Sequence, residues 1–208
     1  MTLYLLVISG SMLCIVLLNM FLGIAPVGEI VSSTFLAVFL VILIDGAVAL
    51  ITHLMPNQLF SPDNSHYYVS PKSQRIYRKL GVRRWKDKVW ELGALGGFSK
   101  KHLADTISVE YIERFIIECN KGVFTHTVSC FTGLLIRFAI PDEFDFTIVL
   151  PVVAVNMFLN VLPTMILRDN TPKLQSLLKH LKLREERASV SLPMDEQVSH
   201  SIDNTVAK

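Results

Sequence analysis

Tyr77–His126 reads YRKLGVRRWKDKVWELGALGGFSKKHLADTISVEYIERFIIECNKGVFTH. It carries ten of the twenty Lys and Arg of the chain and both tryptophans. On either side the chain is apolar. No Lys or Arg precedes Lys72, and 51% of the 208 residues are hydrophobic. The mean hydropathy is +0.44, which favours a membrane protein over a soluble domain of this size. A basic, ring-bearing segment between apolar runs is what a chain needs to sit against the inner face of a bilayer.

Working outward, four runs are expected to span, since about 20 apolar residues cross a hydrocarbon layer. They are Thr2–Ile24, Val31–Leu54, Val123–Ile140 and Phe146–Leu167. The first has no basic region ahead of it and is too long for a secretory signal, so it reads as a retained helix. Pro26-Val-Gly28 and Pro141-Asp-Glu-Phe-Asp145 are turns. Arg137 lies close enough to a helix end to snorkel. The expected fold is an all-α integral membrane protein. It has about four transmembrane helices and an interfacial amphipathic segment, residues 72–120, between the second and third. Residues 1–187 form the membrane domain, and 188–208 a disordered tail without periodicity.

Within the interfacial segment Ile76, Leu80, Trp85, Val89 and Leu92 recur at near-helical spacing, with Lys and Arg filling the other faces. A helix at headgroup depth and a solvated basic helix both fit that pattern. Gly81 should divide it. Both basic segments fall on one side of a four-helix topology, which the positive-inside rule assigns to the cytoplasm, with both termini.

Candidate chemistry is sparse. Glu118, Gly122 and His126 lie four apart on one stripe, with Lys121 beside them. A carboxylate and an imidazole there suit acyl transfer to a hydroxyl. Over eight residues of helix they stand about 12 Å apart. The plain alternative is a histidine bonded to a backbone carbonyl and Glu118 paired with Arg114. Asp45, within the second span, must face protein or water, because an ionised Asp in lipid costs about 2.5–3.5 kcal/mol. It is either a proton or substrate contact or a buried structural hydrogen bond. Lys100-Lys101-His102 after a glycine turn is either a phosphate site or a solvated run. There is no P-loop, GxSxG or HxxxxD arrangement. Cys14, Cys119 and Cys130 form no metal or disulfide pattern, and no cofactor is expected.

Several short motifs together resemble the glycosyl-4,4'-diaponeurosporenoate acyltransferase family. They are Trp85-Lys86-Asp87-Lys88, the glycine turn, Gly97-Phe-Ser-Lys100-Lys101, then Phe115, Glu118, Lys121 and His126. Asn160, Pro163 and Arg168-Asp-Asn170 with Pro172 and Leu174 resemble that family's closing motif. The chain departs from the pattern at Val123, Asp169 and Thr171, where an acidic, an aromatic and a basic residue are expected. The resemblance implies a small membrane enzyme that passes a fatty acyl group to a sugar hydroxyl of a lipid-linked acceptor. Placed on this chain, His126 and Glu118 are the catalytic candidates. Trp85, Lys86, Asp87, Lys100, Lys101, Lys121, Asn160, Arg168 and Asn170 are the substrate-binding candidates. Membrane lipid, an acyl-CoA or acyl-carrier donor, and a protein partner are the expected associates; nucleic acid is not. A non-catalytic membrane adaptor is the competing expectation.

Overall fold

A computed structural model describes residues 2–86, 89 and 107–206, with side chains from 4 to 188 within those limits. Helix α1 is Thr2–Leu22. It ends because Gly23 turns to a left-handed φ of +62°, so that the N–H of Ile24 reaches the carbonyl of Asn19 and that of Gly23 the carbonyl of Met20. Pro26 precedes α2, Val27–Leu54. At 28 residues α2 is about 42 Å long, more than a hydrocarbon layer is thick. Two 3-10 turns follow, then α3, Pro71–Lys79, capped by the Ser70 hydroxyl. Gly81, with φ +65°, separates α3 from α4, Val82–Trp85, as its place in the sequence suggests.

Helix α5, Val109–Thr132, begins at Ser108, whose hydroxyl accepts from the N–H of Tyr111. It runs without a break through Gly122. Helix α6, Leu150–Val206, is 57 residues long and keeps its backbone helical through the segment read as a tail. Its side chains pack against α5 as far as Leu178 and Leu181.

The expected third span is not a helix of the expected kind. Only Val123–Thr132 continues as α-helix; Gly133–Phe138 tightens to 3-10, and Pro141 ends the run. Upstream, Glu110, Glu113, Arg114, Glu118 and Lys121 make α5 too polar to qualify as a whole. Among the described residues three helices, not four, are long and apolar enough to cross a membrane: Tyr4–Leu22, Val27–Leu54 and Asp142–Ala188. Arg137 pairs with the acidic turn, its guanidinium 2.7 Å from Asp145 and 3.1 Å from Asp142.

The buried apolar residues form two clusters. One joins α1, α2, the 3-10 segment and the start of α6 around Ile30, Ala37, Ile136, Phe144 and Ile148. The other joins the first half of α5 to α6 around Ile112, Ile116, Leu167 and Leu174. Asn120, whose amide donates to the carbonyl of Phe60 at 3.0 Å, ties α5 to the chain just after α2. Ile136 shares the first cluster with Ile30, near the start of α2, while Lys121 reaches the His53 carbonyl at its end. The α5 segment and its 3-10 extension therefore run antiparallel to α2.

Proline explains one of the contacts that hold α1. A proline inside a helix leaves the carbonyl four residues back without its N–H partner. Pro163, inside α6, so frees the Leu159 carbonyl, which accepts from the Tyr4 hydroxyl of α1 at 3.3 Å. The Thr147 carbonyl, in the π-helical turn Asp145–Val149 just before α6, accepts from the Asn19 amide of α1 at 3.0 Å. Tyr4→Phe should lower stability in detergent by about 1–3 kcal/mol, the penalty for a carbonyl left without a donor. Pro163→Ala restores an N–H for Leu159, so Tyr4→Phe should cost less in that background. Thermal unfolding of the single and double variants checks this coupling; simply additive losses would refute it.

Candidate functional site

A polar layer lies between the two apolar clusters, where α2, α5 and α6 meet. Its hub is the carboxamide of Asn160. The two amide hydrogens of Asn160 serve three acceptors, one of them shared: Asp45 Oδ2 at 3.0 Å, the carbonyl of Asn156 at 3.1 Å and Asn156 Oδ1 at 3.0 Å. Asn156 in turn donates from its own amide to the carbonyl of Ser129 at 3.1 Å. Asn156 and Asn160 are four apart, so they share one face of α6, the face turned to α5. Both are buried.

These bonds orient the histidine. A carboxylate and a backbone carbonyl only accept, so the nitrogen of the Asn160 amide must point at Asp45 and Asn156. Its oxygen then faces His126, 2.8 Å from Nδ1. An amide oxygen accepts, so Nδ1 of His126 carries the proton and donates. Neutral His126 therefore has its lone pair on Nε2, the nitrogen a general base needs.

Glu118 does not meet His126. It lies two turns away on the unbroken helix, about 12 Å along the axis. It lines a cleft of about 540 Å³ at the end of α2, with His53, Asn57, Glu110, Glu113, Arg114 and Lys121. Glu110 stands in the first turn of α5, where its own backbone N–H and the Ser108 hydroxyl hold its carboxyl below the usual range. Lys121 is buried at the edge of the cleft. Its ammonium lies 3.5 Å from the carbonyl of His53 and 5.8 Å from the centre of the Phe60 ring. That carbonyl belongs to the last turn of α2, where a cation offsets the negative helix end.

The other expected binding residues form a docking surface instead. Arg168 on α6 donates to the Tyr77 hydroxyl at 3.2 Å and to the Tyr68 carbonyl at 3.4 Å. Asp169, buried, holds Lys173 at 2.8 Å and Arg83 at 3.7 Å. Asn170 accepts from Lys173 at 3.5 Å. The Trp85 indole donates to the Leu80 carbonyl at 3.1 Å, and Lys86 caps α4. The Arg168–Tyr77 and Asp169–Arg83 contacts seat α3 and α4 on α6. Asp87, Lys100, Lys101 and His102 lie outside the described residues.

The structure thus joins His126 to Asn160, leaves Glu118 and Lys121 at the cleft, and places Arg168, Asn170 and Trp85 apart from both. Two of the three departures from the family pattern have partners: Asp169 has its two cations, and the Thr171 hydroxyl donates to the Leu167 carbonyl at 2.9 Å. Val123 is a member of the second apolar cluster. The residues that sequence reasoning missed are Asn156 and Ser129. The spacing of Asn156 and Asn160 within an apolar run was the signal for the first; a backbone carbonyl leaves no signal for the second.

The fold is an all-helical bundle with membrane-type helices, a polar layer at its centre and a charged cleft at one end. The family model described as glycosyl-4,4'-diaponeurosporenoate acyltransferase matches residues 56–180, and the chain belongs to that family of acyltransferases. Comparison with curated proteins and with solved structures gives no match.

Gly133 allows the polar layer to close. A Cβ at this position would lie 2.9 Å from the Asn156 amide nitrogen, closer than atoms pack. Gly133→Ala should push Asn156 off the Ser129 carbonyl and cost about 1–3 kcal/mol. Thermal unfolding against Gly46→Ala, whose Cβ meets nothing within 4 Å, checks it. Equal stability of the two variants would contradict the role given to Gly133.

Proposed function

We propose that the protein is a membrane-embedded acyltransferase that moves a fatty acyl group to a hydroxyl of a glycolipid or other lipid-linked acceptor at the cytoplasmic leaflet. The observation that carries this reading is the His126–Asn160 hydrogen bond, which leaves Nε2 as the basic nitrogen in a family of acyltransferases. His126 takes the proton of the acceptor hydroxyl as its oxygen attacks the thioester carbonyl, then returns it to the departing thiolate.

The cleft supports a sugar-bearing acceptor. Carboxylates from Glu110, Glu113 and Glu118 accept from hydroxyls, while Arg114 and Lys121 donate to ring and glycosidic oxygens. Glu118 therefore binds and orients the headgroup and does not touch the base. Two basic segments, one on each side of the α5–α6 hairpin in sequence, support a cytoplasmic position for this end of the bundle under the positive-inside rule. In that arrangement the α5 segment and its 3-10 extension make a fourth pass, shielded by α2 and α6.

The test uses purified protein in lipid nanodiscs with an acyl-CoA and a glycolipid acceptor, reading free thiol. His126→Ala should lose at least about 100-fold in kcat, the usual worth of a positioned base. Glu118→Gln should raise KM for the acceptor about tenfold and leave kcat nearly unchanged. Full turnover by His126→Ala would overturn the assignment.

A further inference from the structure

We infer that Asp45 is a positioning residue for His126, acting through Asn160. This deepens the reading above and rests on it. Asp45 stands on α2, outside the residues that the family model matches. Its Oδ2 takes a hydrogen of the Asn160 amide, and its Oδ1 is buried with no hydrogen-bond partner. A carboxylate placed among largely apolar helices with one oxygen unpaired is costly to keep. A structural peg between three helices needs only an acceptor, which a neutral amide also supplies. What the carboxylate adds is charge.

As an acceptor, Asp45 helps fix which way round the Asn160 amide lies, and so which nitrogen of His126 carries the proton. Its charge also stabilises the imidazolium formed when Nε2 takes the acceptor proton, because the two groups are separated by one amide in a medium that screens weakly. No proton passes through the amide; the acceptor proton goes to Nε2 and leaves from Nε2. The titratable groups facing this layer are few among the described residues. They are Asp45 from α2, Cys130 on α5 itself with Sγ 3.8 Å from the Met157 carbonyl, and Tyr4 of α1 on the Leu159 carbonyl. Helix α6 contributes the amides of Asn156 and Asn160. His53 and Lys121 lie further along, at the cleft.

Asp45→Asn separates charge from geometry, because the new amide oxygen still accepts from Asn160. Two readouts are taken on the full chain in nanodiscs. The first is the pH profile of kcat/KM for acyl transfer. Removing the negative charge disfavours the imidazolium, so the acid limb should move down by about one pH unit, with kcat reduced about tenfold and KM for both substrates held. The second is the titration of the His126 imidazole by 15N NMR, assigned by comparison with His126→Gln. It should show Nδ1 protonated in the neutral ring and the same downward shift in Asp45→Asn. If Asp45→Asn titrates like the wild type in both, the carboxylate is only a peg and the inference fails. If the wild type turns over no thioester, the acyltransferase reading fails, while the imidazole titration still decides the role of Asp45.

Discussion

One carboxamide carries the interior of this protein. Asn160 donates to Asp45 and Asn156 and accepts from His126, so three helices share one polar group between the two apolar clusters. A polar group buried without partners costs several kcal/mol, and one of four residues costs that at each loss. The arrangement of α2, α5 and α6 is therefore set by what Asn160 needs, and the two apolar clusters fill the space above and below it. Even Gly133 follows from this constraint, since a larger residue would displace Asn156.

The same logic of partnering holds α1 in place. Pro163 strips the Leu159 carbonyl on α6 of its helical donor and Tyr4 of α1 replaces it, while Asn19 of α1 donates to the Thr147 carbonyl in the π-turn before α6. Lipid offers no hydrogen bonds, so in such surroundings backbone gaps on one helix become addresses for side chains on another. At the end of the bundle that holds the cleft the rule changes. There Arg168, Asp169 and Lys121 are used to seat α3, α4 and the end of α2, which leaves the cleft lined by both signs of charge.

Much of the fold was legible. Thr2–Ile24 and Val31–Leu54 announce themselves as charge-free or nearly charge-free runs, and Gly81 marks a break by its freedom at positive φ. The third run is α-helical only in part, because hydropathy sums over residues and does not see that Gly133 and Pro141 change the backbone. For the site, spacing placed Glu118 and His126 on one stripe correctly, but a stripe gives no partner. The partner of His126 is thirty-four residues away on α6, and only an intramembrane Asp and a pair of amides four apart hinted that something polar must lie there. Arg168 and Asn170 look like ligand contacts in sequence because charge near a bilayer surface serves docking and binding alike.

The central claim is that Asn160 serves the reaction through His126. It is tested most directly by the acyl-transfer rates of His126→Ala, Asn160→Ala and the double variant, each at matched folded fraction. If the amide acts only by orienting the base, the double variant turns over no more slowly than His126→Ala alone. Losses that multiply would show that the two residues act independently, and would contradict the account.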